Sequence, residues 1–345
     1  MATAVRNYAA YLGGAHAWML GRFIVPVSRL EEFEREASGL FPVPASAGAR
    51  GPDGVEPPET PDPWRISVLV GDDIDADIER VFAFNQRHAP PETDTGGGDD
   101  DDGPAADDGE SEGIDDDDEG VLLPDDGERS ASADSAGSDA RVVHGLGGGA
   151  VIDTIELKAY NGREIDRLMT VVPEQLEPYF EVPIGEDPRG MIAAMAGTGA
   201  RAKVRTGGVT PDAFPPAEHL ARFIAACSAA EVPFKATAGL HHPVRGEFGL
   251  TYEPGCPRGV MFGFLNVFLA AAMIKTGEGS EKDAVELLTE RDASSLRFVE
   301  QGVAWREKRL AAARLAMVRE SFAMSFGSCS FDEPVNDLKA MGLLD

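Results

Sequence analysis

Seven polar side chains between residues 154 and 243 share one alternation. They are Glu156 and Lys158 in TIELKA, Glu181 in YFEVPI, Lys203 and Arg205 in AKVRTGG, and Lys235 and Thr237 in FKATAGLHHP. Each segment reads as a short strand, in which residues two apart face the same way. Four consecutive strands that aim charge at one axis are costly in an apolar core. The pattern therefore predicts an active site inside a β/α barrel. A lysine among other cations and apolar walls loses basicity, and its neutral amine attacks a carbonyl to form a Schiff base. Lys235 is placed for that role, with Lys203 in matching phase on the preceding strand. Glu156 and Glu181 are expected to move protons, tuned by Lys158 and Lys203. The same residues would also satisfy one another as a buried ion-pair network.

Around this set lie candidate substrate contacts. Arg205-Thr206-Gly207-Gly208 follows the fifth strand; paired glycines let a ligand approach backbone N–H groups, and arginine offers a planar fork for phosphate or carboxylate. A tight turn after an arginine is the plainer reading. His241 and His242 open the next loop. Neighbours in an extended segment face opposite ways, so one of the two is expected to reach the site as an acid, base or ligand. Thr237 shares the face of Lys235. Asn266 interrupts an apolar helix and is expected to hydrogen-bond across the barrel rim. In SFGSCSF, Ser325, Ser328 and Ser330 surround Gly327 and Cys329. Small hydroxyls there suit an anion, but no base for a nucleophilic Cys329 is evident nearby in sequence, so the segment reads as a packed turn. No HxH or HExxH spacing is present, and neither metal nor cofactor is predicted. The alternative is a divalent ion held by Glu156, Glu181 and one histidine. Trp18, Trp64 and Trp305 read as packing.

The elements that must position these groups alternate β with α. Strands are predicted at 22–26, 64–70, 152–158, 178–184, 201–206 and 233–239. Helices follow at 28 onward, with Ser28 and Glu31 as a capping box, then from Asp72 or Asp73, from Asn161, from Asp187-Pro188, and over 216–230. A long loop then leads to an apolar helix at 259–274. Residues 281–290 read as helix, 295–310 as a hairpin, 311–320 as helix and 321–326 as a last strand. Six good strands and two weaker ones predict a single-domain (β/α)₈ TIM-barrel-like α/β fold. An open doubly wound sheet is the rival, and no Gly-rich loop after the first strand supports it.

The 345-residue chain has a formal net charge of -29. Residues 92–141 hold 20 acidic and 2 basic residues, so 18 of those negative charges sit in this segment and 11 elsewhere. With its Asp and Gly runs, the stretch 90–150 lacks the apolar surface to offset chain entropy and is expected to be a disordered insert. It divides barrel units at 1–89 from those at 151–345. GLGGG at 145–149 precedes a strand and reads as a linker end, not a dinucleotide loop. An acidic field repels nucleic acid and anionic membranes, so neither is a predicted partner. Abundant Asp and scarce Lys suit a salt-rich cytosol, although a GC-rich genome also favours arginine. Three cysteines without CxxC spacing fit a reducing compartment, and no signal pattern opens the chain. The location expected is cytoplasmic. The longest apolar run, 16 residues from Gly259, is short for a membrane span.

KVRTGG, PFKATAGLHHP, GFLNVFLAAA and SFGSCSFDEPVNDL together resemble an uncharacterised conserved family of bacterial and archaeal proteins. The resemblance implies a β/α-barrel-like fold over most of the chain outside 40–63 and 90–150. It also implies residues upstream of Met1, which would be a late start. FKATAG at 234–239 is similar to the lysine-bearing sixth strand of the deoxyribose-phosphate aldolases, which are class I aldolase barrels. That similarity implies a Schiff-base role for Lys235. The resulting expectation is a cytosolic lyase, aldolase-like, or isomerase acting on a small anionic carbonyl compound. The alternatives are a divalent-metal sugar isomerase or epimerase, and a non-catalytic small-molecule-binding barrel.

Overall fold

The computed structural model describes residues 1–42, 62–90 and 149–345, and in it the βα rhythm becomes a parallel sheet with helices on its outer face. β1 (Phe23–Pro26), β2 (Trp64–Leu69), β3 (Ala150–Lys158), β4 (Glu177–Glu181), β5 (Arg201–Arg205) and β6 (Phe234–Thr237) pair in chain order, all parallel. β7 (Gly246–Gly249) and β8 (Arg258–Met261) form an antiparallel ribbon inside what reads in sequence as a long loop. β9 (Leu296–Val299), β10 (Gly302–Trp305) and β11 (Lys308–Ala311) form a separate antiparallel sheet. β12 (Ala323–Gly327) then returns to pair parallel with β6. The helices are α1 (Ala2–Leu12), α2 (Leu30–Ala37), α3 (Ile74–His88), α4 (Gly162–Met169), α5 (Arg189–Met195), α6 (Ala217–Ala229), α7 (Phe264–Thr276), α8 (Glu281–Leu288), α9 (Ala312–Ser321) and α10 (Asp332–Ala340).

The eight-stranded closure expected from sequence is not formed among the described residues, where the main sheet has seven strands and β1 and β12 do not pair. The segment 295–310 supplies no barrel strand. Its four-residue strands are joined by two-residue connections, and local hairpin closure satisfies their backbones first. The seven strands still curl into a half-barrel. Lys235 Nζ on β6 comes within 3.5 Å of Ser67 Oγ on β2, with three strands between them in the sheet. A flat sheet would keep those strands roughly 19 Å apart, at about 4.8 Å per step.

Alternation sets the two faces. Phe234 and Ala236 of β6 are buried toward the helices, where Phe234 meets Phe223 of α6 edge-on at 5.5 Å. Phe326 of β12 stacks on Phe264 of α7 at 4.8 Å. Lys235 and Thr237 therefore face the concave side, with Lys203, Glu156 and Ser67. Two irregularities interrupt this order: β12 slips by one residue against β6 between Ala323 and Ser325, and between β2 and β3 Ile66 pairs with Ile152, but Ser67 pairs with Thr154. The extra residue, Asp153, turns inward and starts an ionic layer at the amino ends of the strands. There it accepts from Arg22 at 2.6 Å and binds Arg65, while Glu177 takes Arg22 at 3.1 Å and Arg201 at 2.9 Å.

Local signals fix several helix starts. Asp73 caps α3 by accepting from Ala76 N, and Asn161 caps α4 by accepting from Glu164 N. The capping box expected at Ser28 is absent, because a 3₁₀ turn over Val27–Arg29 runs straight into α2 and makes Arg29 the cap. Trp64 and Trp305 are buried, but Trp18 is 74 % exposed and does not pack. The described residues flanking the insert belong to one unit. The insert itself, with its expected disorder and most of the GLGGG linker, lies outside the described residues. No described helix is long and apolar enough to cross a membrane.

Candidate functional site

Four of the seven alternating side chains converge midway along the concave face. Glu156 lies between two amines: its Oε1 is 2.5 Å from Lys235 Nζ and its Oε2 is 3.0 Å from Lys203 Nζ. Lys203 also reaches Glu181 Oε2 at 2.7 Å. Ser67 Oγ donates to Glu156 Oε1 at 2.9 Å, and the ring of Tyr179 lies 4.3 Å below the Lys235 amine. Lys235, Lys203 and Glu156 are each 5 % exposed or less. The strand register explains the cluster, since Lys203 and Lys235 are direct partners on β5 and β6, and Glu181 is the partner of Lys203 on β4.

The two amines differ electrostatically. Burial pushes the Lys235 amine below the usual lysine value; Glu156 opposes this, and the like charges of Lys203 and Arg22 add to it. Burial also opposes the charge on Lys203, but Glu156 and Glu181 outweigh it and raise its pKa. For Glu156, burial raises the pKa and the two lysines more than reverse that, so its carboxyl sits below the ordinary range. A carboxylate between two cations stays ionised. Lys235, with one shared anion and two cations nearby, is the group that most easily loses its proton.

The other expected residues divide. Lys158, the last residue of β3, is exposed at the rim and makes no ion pair among the described residues. Arg205 ends β5 and is also exposed. Thr206 is fully buried, and its hydroxyl donates to Ala238 O at 2.6 Å, a backbone tie and not a free contact. The paired glycines answer to packing: a Cβ on Gly207 would lie 2.4 Å from the Phe214 ring, and one on Gly208 would lie 2.7 Å from Ala213. Thr237 sits at the mouth with its hydroxyl on Val204 O at 3.3 Å. Asn266 does not reach across the rim. It is fully buried, donates to Leu287 O and Glu290 O, and accepts from Arg245 N, so it ties α7 to the end of α8.

The two histidines do not face opposite ways. The segment after β6 bends instead of extending, and both rings land on α10: His241 Nδ1 is 3.0 Å from Glu333 and His242 Nδ1 is 2.6 Å from Asp337. His242 is further held by stacking on Phe248 at 3.5 Å. Ser328 Oγ lies 3.3 Å from His241 Nδ1. Sequence reasoning missed Tyr179 and Ser67 in the interior, and Glu333 and Tyr252 at the rim. The spacing of Glu333 and Asp337, four apart on one helix directly after SFGSCSF, is the signal that could have located the histidine partners.

Among the described residues no group of three or more His, Cys, Asp or Glu side chains is arranged to hold a metal ion. The carboxylates expected to bind one, Glu156 and Glu181, are both taken by Lys203. Comparison with protein-family models, curated proteins and solved structures returns no match.

Proposed function

We propose that this chain is an enzyme of the class I lyase type, acting on a small phosphorylated or carboxylated carbonyl compound. The observation that carries the reading is the Lys235 amine: buried, lowered in pKa and hydrogen-bonded to Glu156 at 2.5 Å. It lies on the sixth strand of a curled parallel sheet, midway along the concave face. In the mechanism, Glu156 takes a proton from Lys235, and the neutral amine adds to the substrate carbonyl. The addition product loses water, aided by proton return from Glu156. Lys203 holds Glu156 in place and keeps positive charge beside the new iminium, favouring its reaction. Arg205 and Lys158 at the rim supply charge for the anionic end of the substrate. The likeness of FKATAG to the aldolase strand points the same way.

A second reading has its own observation. Lys203, Lys235, Glu156 and Glu181 satisfy one another, which suits a non-catalytic barrel that only binds a small anion. Assay of short phosphorylated and carboxylated aldehydes and ketones for carbon–carbon cleavage or isomerisation separates the two. Turnover that Lys235→Met abolishes supports the enzyme. Thermal shifts with these compounds, and no turnover, would assign the binding role.

A further inference from the structure

One cluster outside the lysine site brings a thiol, an imidazole and a carboxylate together from three separate segments. Cys329 lies two residues past the end of β12, His241 lies in the loop after the neighbouring β6, and Glu333 lies in the first turn of α10. Cys329 Sγ is 3.8 Å from His241 Nε2 and 3.9 Å from Nδ1. The Nδ1 atom is 3.0 Å from Glu333 Oε2, which also accepts from Tyr252 at 2.8 Å. Tyr252 OH lies 3.4 Å from the sulfur. Cys329 is a free thiol and is exposed, whereas Cys227 is buried.

We infer that Cys329, His241 and Glu333 form a nucleophilic site that takes the acyl group of an ester or thioester. The roles follow from geometry: a nucleophile nearly equidistant from the two imidazole nitrogens, and a carboxylate on Nδ1 that orients the ring and leaves Nε2 for proton transfer. The electrostatics agree. His241 pulls the thiol below its ordinary value, with burial and the charge of Glu333 opposing; the thiol in turn raises His241, as does Glu333. A redox thiol needs only a low pKa and a resolving partner. A carboxylate-oriented imidazole serves proton delivery to a leaving group, which acyl transfer requires.

In the first step the Cys329 sulfur forms a bond to the acyl carbon, the bond from that carbon to the leaving oxygen or sulfur breaks, and His241 Nε2–H protonates the leaving atom. Water then attacks the thioester carbon and gives a proton to Nε2. The carbon–sulfur bond breaks, which releases the acid and restores the thiolate. The step uses no oxidant and does not depend on Lys235.

The test uses the full chain and two probes, iodoacetamide and p-nitrophenyl acetate. Iodoacetamide labelling of Cys329, followed by peptide mass against pH, is expected to have a midpoint below the ordinary thiol value of about 8.5, and His241→Gln should raise it. The groups facing the sulfur that bear on this profile are His241, Tyr252 and Glu333, with the His242–Asp337 and Tyr11–Asp332 pairs beside them. p-Nitrophenyl acetate should give a burst of one nitrophenol per chain and an acetyl adduct on Cys329. Cys329→Ser should lose both, and His241→Gln should slow the burst at least tenfold. A wild-type midpoint at the ordinary thiol value, or acetylation confined to lysines, overturns the inference. Both wild-type readouts stand even if a variant fails to fold, and neither touches the Lys235 proposal.

Discussion

Lys203 and Lys235, register partners on adjacent parallel strands, hold opposite oxygens of the single carboxylate of Glu156, at 3.0 and 2.5 Å. Two ammonium groups side by side in a buried interior repel each other, and the shared anion offsets this, with Glu181 as a second partner for Lys203 alone. Glu156 is therefore the keystone of the interior.

Removing it tests that role. Glu156→Gln keeps the shape but leaves two buried cations facing each other, and is expected to destabilise the fold by about 3–5 kcal/mol, the range for a broken buried pair. Lys235→Met removes a desolvated cation and leaves Glu156 with Lys203 and Ser67, so its cost should be smaller. Urea unfolding of the two variants gives the ranking, and the reverse order would contradict it.

Stability should also fall in acid through the same group. The folded pKa of Glu156 is lowered, so its contribution is fully present above the unfolded value of about 4.3 and is lost as pH falls through the folded value. The urea midpoints of wild type and Glu156→Gln should converge as the pH drops below 4. Lys203 has the opposite sign: its folded pKa is raised, so its contribution holds below about 10.4 and is lost as pH rises through the folded value. A gap between wild type and Glu156→Gln that is constant from pH 7 to 3 would contradict the assignment.

Gly207 offers a packing test. Gly207→Ala drives a methyl into the Phe214 ring and should cost about 1–3 kcal/mol. Pairing it with Phe214→Leu should recover part of the loss. An anion-binding glycine would show no such rescue by thermal melting.

Asn266 is expected to behave as a structural tie. Asn266→Leu strips partners from Arg245 N, Leu287 O and Glu290 O and should cost at least about 1–3 kcal/mol, measured by urea unfolding. Its effect on any turnover should follow the loss of folded protein alone.

The interior was legible in sequence because charge recurred at every second residue in strands otherwise built of Ile, Leu, Val, Ala and Phe. Glu156, Glu181, Lys203 and Lys235 could be set on one face from that alone. The βα alternation likewise gave the parallel sheet and the position of β12. Contributions that depend on register were not visible. The bulge at Asp153 inverts the alternation of β3 below Thr154, and nothing in VIDTIELK marks it. The eighth strand, missing among the described residues, turned on a choice between local hairpins and sheet closure. Gly207 was legible as a glycine that something approaches closely, but the approaching group is Phe214, seven residues on. Cys329 lacked a base in sequence because its base, His241, is 88 residues away and is delivered by strand adjacency.

The most direct test of the Lys235 assignment is borohydride trapping. The folded protein is mixed with glyceraldehyde 3-phosphate or pyruvate, reduced, digested and mapped by peptide mass. Adduct on the peptide carrying Lys235, absent in Lys235→Met and forming at a pH below that needed for surface lysines, is the predicted result. Adduct spread over exposed lysines such as Lys158 and Lys282, with Lys235 unmodified, would contradict it.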